Sequence, residues 1–123
     1  TVSLLRAMPL CDSAFGHVYF SVLPANSRVG AHCGVTNLKL RGHLTLHKPP
    51  AEGGIRVKDE QRGWEEGGLM LFDDSFEHEV WNDSSTERVV LVFDIWHPEL
   101  PESGRDRVRA CFPPPAATAT AKL

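Results

Sequence analysis

The sequence predicts an all-β domain, and three observations carry that reading. Side chains alternate with a period of two over most of residues 17–96, no stretch holds a helical period for three turns, and turn-forming clusters separate the alternating runs at short intervals. From His17 to Leu23, Val18, Phe20 and Val22 point one way while His17, Tyr19 and Ser21 point the other. From Leu38 to His47, Leu38, Leu40, Leu44 and Leu46 share one face, and Lys39, Arg41, His43, Thr45 and His47 share the opposite one. Shorter strands are expected at Ile55–Lys58, Leu69–Phe72 and His78–Trp81, then a long one at Arg88–Trp96. Between them lie Pro-Ala-Asn-Ser, Lys-Pro-Pro-Ala-Glu-Gly-Gly, Glu-Glu-Gly-Gly, Asp-Asp-Ser and Asn-Asp-Ser-Ser, all turn chemistry. Many short strands with regular turns indicate a sandwich or barrel. Thr1–Leu10 and Glu102–Ala110 fit neither period, although Asp106–Ala110 suits a helical turn.

A chain of 123 residues has room for one compact domain, expected over residues 1–112 with its core at about 17–100. The net charge of −3 leaves no basic footprint for nucleic acid. The longest apolar runs, such as Val89–Phe93, are too short to span a bilayer, so no membrane segment is expected in this chain. Cys11, Cys33 and Cys111 are odd in number and widely spaced, which argues against a disulfide framework and a structural zinc site. The first residue is Thr1, which reads as a processed product or a fragment, and no signal peptide is visible. Residues 113–123 are low in complexity and read as a flexible tail. Its end, Ala121-Lys122-Leu123, is similar to the peroxisomal Ser-Lys-Leu address, with an accidental tail the preferred reading.

Histidines stand at 17, 32, 43, 47, 78 and 97. A single histidine is more often structural than ligating, but several on alternating strands can converge on one barrel cavity. Non-haem iron oxygenases take two His and usually a carboxylate on one face of the metal. The usual pattern is His-x-Asp/Glu with a distant His, and here the second position after His32 is Gly34, which cannot ligate.

Longer motifs add to this. Ala31-His32-Cys33-Gly34-Val35-Thr36-Asn37 and Leu40-Arg41-Gly42-His43-Leu44 resemble one metal-binding segment of the aspartyl/asparaginyl β-hydroxylase family. Trp64-Glu65-Glu66-Gly67 and Phe72-Asp73-Asp74-Ser75-Phe76-Glu77-His78-Glu79-Val80-Trp81 resemble its second. Arg88 and Asp94-Ile95-Trp96-His97-Pro98-Glu99-Leu100 extend the resemblance, which covers about two-thirds of the chain, from Ser21 to Leu100. In that family glycine replaces the acidic ligand, so Gly34 agrees with the resemblance.

The resemblance implies a double-stranded β-helix, the jelly-roll or cupin-like barrel. Such a fold needs about eight strands, against six or seven counted above. It implies Fe(II) held by His32 and His78 and a co-substrate, 2-oxoglutarate. The distal carboxylate of 2-oxoglutarate falls to Arg88, helped by the Ser21 hydroxyl, and the carboxylate beside the keto group to His43. A guanidinium suits that task because its fork matches a carboxylate. Lys39 and Arg41 are placed to hold an acidic substrate, against the competing reading of a solvated strand face. For Arg88 the competing reading is a strand-start charge paired with Asp83 or Glu87. The implied reaction consumes O2, oxidises 2-oxoglutarate to succinate and carbon dioxide, and hydroxylates an unactivated carbon, in the best-known members Cβ of Asp or Asn in a protein. The alternatives are another metal-dependent cupin enzyme and a non-catalytic jelly-roll binding domain.

Other residues take plainer readings. Trp64, Trp81 and Trp96 read as packing and corner residues, and Asp73 and Asp74 as a turn bonded to its own amides. Asp94 reads as orienting a neighbour. His78 and Arg88 are expected on consecutive strands paired as an antiparallel hairpin through Asn82–Thr86. For both to face one cavity, that hairpin needs an odd loop or one bulge.

Overall fold

The computed structural model describes residues 2–116. Eight strands run in order: β1 Val18–Leu23, β2 Ser27–His32, β3 Lys39–His47, β4 Gly53–Val57, β5 Glu60–Arg62, β6 Leu69–Phe72, β7 His78–Asn82 and β8 Arg88–Trp96. Two helices flank them, α1 at Val2–Ala7 and α2 at Glu102–Cys111. The strands form two four-stranded sheets, ordered β1-β8-β3-β6 and β2-β7-β4-β5, with every pairing antiparallel. This is a jelly-roll barrel. Among the described residues no helix is long and apolar enough to cross a membrane. The terminal tripeptide 121–123 lies outside the described residues.

Two strands escaped the sequence reading. β2 has no alternation of its own and is exposed along nearly its whole length, while β5 has only three residues, all exposed. Neither buries the apolar stripe on which a period-two reading depends.

The expected hairpin between His78 and Arg88 does not form. β7 pairs with β2 and β4, whereas β8 pairs with β1 and β3, so the connection crosses from one sheet to the other. Asn82 explains the crossing. It is fully buried, and its amide donates to the carbonyls of Leu23, Pro24 and Thr86 while its oxygen accepts the Ser84 N–H. Those bonds tie the turn to the end of β1. β8 also alternates two apolar faces, Val90 and Val92 against Leu91 and Phe93, and all four are buried. Such a strand belongs in the middle of a covered sheet.

Those two faces define two cores. Between the sheets, Leu23, Ile55, Trp64, Val80, Val90 and Val92 pack together. On the outer side of the β8 sheet, Leu91 and Phe93 pack under Leu5, with Met8 and Leu10 of the N-terminal segment alongside. The Leu40–Leu44 face of β3 therefore looks outward, under the N-terminal segment. The Lys39–Thr45 face looks inward, and Lys39, His43 and Thr45 are all buried. The interior receives the polar side of the pattern.

Candidate metal centre

His32 and His78 face each other across the β2–β7 pair, their ring centroids 4.2 Å apart. A bulge makes this possible. Val29 pairs with Val80, so a regular ladder would bring Ala31 opposite His78; one extra residue in β2 brings His32 there instead. Opposed residues share a face, so the bulge turns His32 toward the His78 side. The His32 Nδ1 lies 2.7 Å from the Gly30 carbonyl, and the His78 Nδ1 lies 2.8 Å from the Phe76 carbonyl. A carbonyl accepts only, so each Nδ1 carries the proton and each Nε2 keeps its lone pair, as a metal ligand requires. Burial, with the nearby His32, lowers the His78 pKa against the bond to Phe76, which favours the neutral, ligating imidazole. His32 is exposed, and the site opens to solvent on that side. Among the described residues no group of three His, Cys, Asp or Glu side chains is arranged to hold a metal. Any metal here would rest on two imidazoles.

Gly34 follows from its surroundings. Its N–H donates to the Asp74 carbonyl at 2.6 Å, and a Cβ at this position would lie 2.6 Å from the Asp74 carboxylate oxygen Oδ2. The sequence reading of Asp74 as a simple turn residue needs correction. Asp73 makes the turn, accepting the Ser75 N–H and hydroxyl, while Asp74 is buried in an ion network. Lys39 Nζ donates to both Asp74 oxygens and to Asp94 Oδ1, at 3.0, 3.0 and 3.1 Å. Arg41 donates to both oxygens of Asp94, its directly opposed neighbour on β8, and its Nη1 lies 3.4 Å from Asp74. Burial alone would raise the Asp94 pKa, but the bonds and charges of Arg41 and Lys39 outweigh it and hold it low. Two cations meet two anions here.

This network corrects the expectation that Lys39 holds an acidic substrate. Its side chain is 3% exposed and its three donors are already taken. Arg41 is 18% exposed and shares the same two carboxylates. The competing reading of a solvated strand face fails as well, because that face is the barrel interior.

The remaining predicted residues form a second cluster. Ser21 lies opposite Val90, two pairs along from Arg88, and its hydroxyl accepts from Arg88 Nη2 at 3.2 Å. Arg88 is 2% exposed, and among the described residues it has no ion-pair partner. Asp83 bonds Arg28 instead. Burial lowers the Arg88 pKa to about 10, and its Nε is buried without a hydrogen-bond partner. His43 is 6% exposed, and its Nδ1 is likewise unpartnered. Burial, then the positive charges of Arg88 and Arg41, lowers its pKa to about 3, so it is neutral. The Phe72 ring meets His43 and His78, at 5.1 and 5.6 Å between centroids. A cleft of about 730 Å³ opens beyond Phe72 between the outer edges β5 and β6, and neither His32, His78 nor Arg88 borders it.

The sequence reading missed the polar side of Trp64. This residue is buried in the inner core with its Nε1 unpartnered, and the Arg88 guanidinium carbon lies 4.8 Å from its ring centroid. No spacing rule points to it.

A family model described as aspartyl/asparaginyl beta-hydroxylase matches residues 1–98. The chain is 47% identical over 85 residues to the aspartyl/asparaginyl beta-hydroxylase of Mus musculus, covering 69% of this chain and 12% of that protein. Against the Homo sapiens protein of the same name it is 44% identical over 101 residues, or 81% of this chain and 13% of the relative. The Homo sapiens aspartate beta-hydroxylase domain-containing protein 2 is 36% identical over 119 residues, 93% of this chain and 32% of that protein. The chain thus spans between an eighth and a third of the length of these relatives. Among solved structures, a cupin domain of an XRE family transcriptional regulator from Enterobacter cloacae superposes with a TM-score of 0.57 at 11% identity, covering 68% of this chain and 84% of that one. The Schizosaccharomyces pombe Cnp3 cupin domain gives 0.56 at 9% identity, over 76% and 63%. These two likenesses concern the fold.

Proposed function

The chain belongs to the aspartyl/asparaginyl β-hydroxylase family, and we propose that it carries the catalytic barrel of a hydroxylase dependent on Fe(II) and 2-oxoglutarate. One observation carries this reading: among the described residues Arg88 is a buried cation without an anion of its own, inside the same barrel as two imidazoles whose Nε2 atoms carry no hydrogen bond. An uncompensated buried charge is costly, and a carboxylate-bearing ligand supplies what is missing. The unpartnered Nε of Arg88 suits an anionic acceptor, and so does Nδ1 of His43 in the tautomer that protonates it, as a dianionic ligand with acceptors at both ends would require.

His32 and His78 would hold the metal, and Arg88 with Ser21 would take the distal carboxylate. When bound, Fe(II) and 2-oxoglutarate supply activation of O2 for insertion of oxygen into an unactivated C–H bond. The chain's own residues do the rest. The Gly30 and Phe76 carbonyls fix the histidine tautomers, and the bulge in β2 aims His32. Phe72, packed on His43 and His78, walls the inner side of the site and limits water there. The ion network pins the loop before His78 to β3 and β8 through Asp74. The substrate proposed is Asp or Asn in a protein, hydroxylated at Cβ. Arg41 is the better placed of the two interior cations to meet an acidic group, since it retains a partly exposed surface.

Anaerobic titration with Fe(II) and then 2-oxoglutarate tests the proposal. A metal-to-ligand charge-transfer absorption should grow with 2-oxoglutarate in the wild type and vanish in His32→Ala and His78→Ala. A folded wild-type protein that develops no such absorption contradicts it.

A further inference from the structure

Trp64 carries a buried donor without a hydrogen-bond partner, and it lies in the wall of the cleft of about 730 Å³. It is 2% exposed, its Nε1 makes no hydrogen bond, and its core neighbours Leu23, Ile55, Val80, Val90 and Val92 have apolar side chains. An indole N–H can only donate, and burying a donor unpaired costs roughly 1–3 kcal/mol. The charged group recorded against the ring is the Arg88 guanidinium, 4.8 Å from the centroid, which also only donates and also has an unpartnered nitrogen. A tryptophan serving as filler alone would be better replaced by phenylalanine at such a position.

The orientation of the ring supports a role for the N–H. A Cβ on Gly53 would lie 3.3 Å from Cζ3 of Trp64, so the six-membered ring is turned toward the Gly53 backbone. The pyrrole edge, across the indole from Cζ3, is therefore directed away from that strand. An indole whose N–H has no partner, with a guanidinium over its ring whose Nε also has none, leaves two buried donors close to one another for an acceptor that is an anion. A carboxylate has acceptor positions enough for a guanidinium fork, a hydroxyl and an indole together.

We propose that Trp64 is a further binding residue for the distal carboxylate of 2-oxoglutarate, donating its indole N–H beside Arg88 and Ser21. This rests on the co-substrate reading above and assigns one more of this chain's residues to it. The indole adds a directional donor without a second charge, so it discriminates by position where Arg88 attracts by charge.

The test compares wild type with Trp64→Phe, and with a protein carrying benzothienylalanine at position 64, which keeps the shape of the bicyclic ring and lacks the N–H. Each is loaded anaerobically with Fe(II) and titrated with 2-oxoglutarate and, separately, with oxalate, which has no distal carboxylate. Denaturation midpoints and Fe(II) affinity are measured alongside. Loss of a bond to a charged group should weaken 2-oxoglutarate roughly tenfold. Oxalate and Fe(II) affinities should stay at wild-type values. Unchanged 2-oxoglutarate affinity in the benzothienylalanine protein overturns the assignment, as does an equal loss for oxalate, which marks general distortion. A wild type that takes up no 2-oxoglutarate overturns the parent reading instead, and the two failures are distinct.

Discussion

Two clusters of buried charge share strands β3 and β8 and are built on opposite terms. In the first, Lys39 and Arg41 meet Asp74 and Asp94, so two cations close on two anions and every donor of Lys39 is used. In the second, Arg88 meets a serine hydroxyl and an indole face, and neither compensates its charge. Burial removes water from both. A closed network stabilises the fold that made it, while an open one costs stability and is kept by what it binds. The comparison separates charges that build the site from charges that wait for a ligand.

Breaking the closed network should have the largest effect. Asp94→Asn preserves shape and removes one anion, leaving Lys39 and Arg41 sharing Asp74. The expected loss is about 3–5 kcal/mol, read from urea denaturation. A loss under about 1 kcal/mol, the range of exposed pairs, would mean that the network is screened by water and the contrast is false.

The link between that network and the metal centre is Gly34. Gly34→Ala drives a Cβ against the carboxylate of Asp74, which Lys39 and Arg41 prevent from moving aside. The expected cost is about 1–3 kcal/mol of stability, as for overpacking elsewhere, together with weaker Fe(II) retention. Measured stability and metal affinity equal to wild type would show that the loop yields freely.

A further effect belongs to pH and is read as a slope. Burial holds the folded His43 pKa near 3, below its ordinary 6.5, so between those values the unfolded chain takes up a proton that the folded one refuses. The stability His43 contributes as a neutral group is present above pH 6.5 and lost as pH falls toward 3. The slope in that window should be about 1.4 kcal/mol per pH unit from this one group, and His43→Gln should remove it. Parallel slopes for wild type and His43→Gln in urea titrations would contradict the assignment.

How much of this could be read from the chain depended on distance along it. The alternation of Lys39 to His47 showed which residues share a face, because that pattern is local. Which face was inside was not legible, since the inward face is the polar one and the apolar face is covered by an N-terminal segment that fitted no period. The motif around His32 and His78 identified the two imidazoles. The parity argument applied to His78 and Arg88 was sound in form but belonged to β2 and β7, where one bulge does bring His32 to the His78 side. β2 itself was invisible, being exposed and interrupted by Gly30. Asp74 and Asp94 were read as local residues because their partners Lys39 and Arg41 lie 33 to 55 positions away in the chain. Trp64 stood in a resembling motif but read as a packing residue, since an unpartnered N–H exists only once the neighbours are in place.

The central claim is that Arg88 is kept for a ligand and not for the fold. Urea denaturation of wild type and Arg88→Met, each with and without Mn(II) and 2-oxoglutarate, tests it directly. Wild type should gain stability from the ligand, about 2.7 kcal/mol at a hundredfold excess over Kd. Arg88→Met should be at least as stable as wild type without ligand and gain nothing from 2-oxoglutarate. A variant that loses several kcal/mol without ligand, or that gains as much as wild type with it, would place Arg88 among the structural charges and contradict the account.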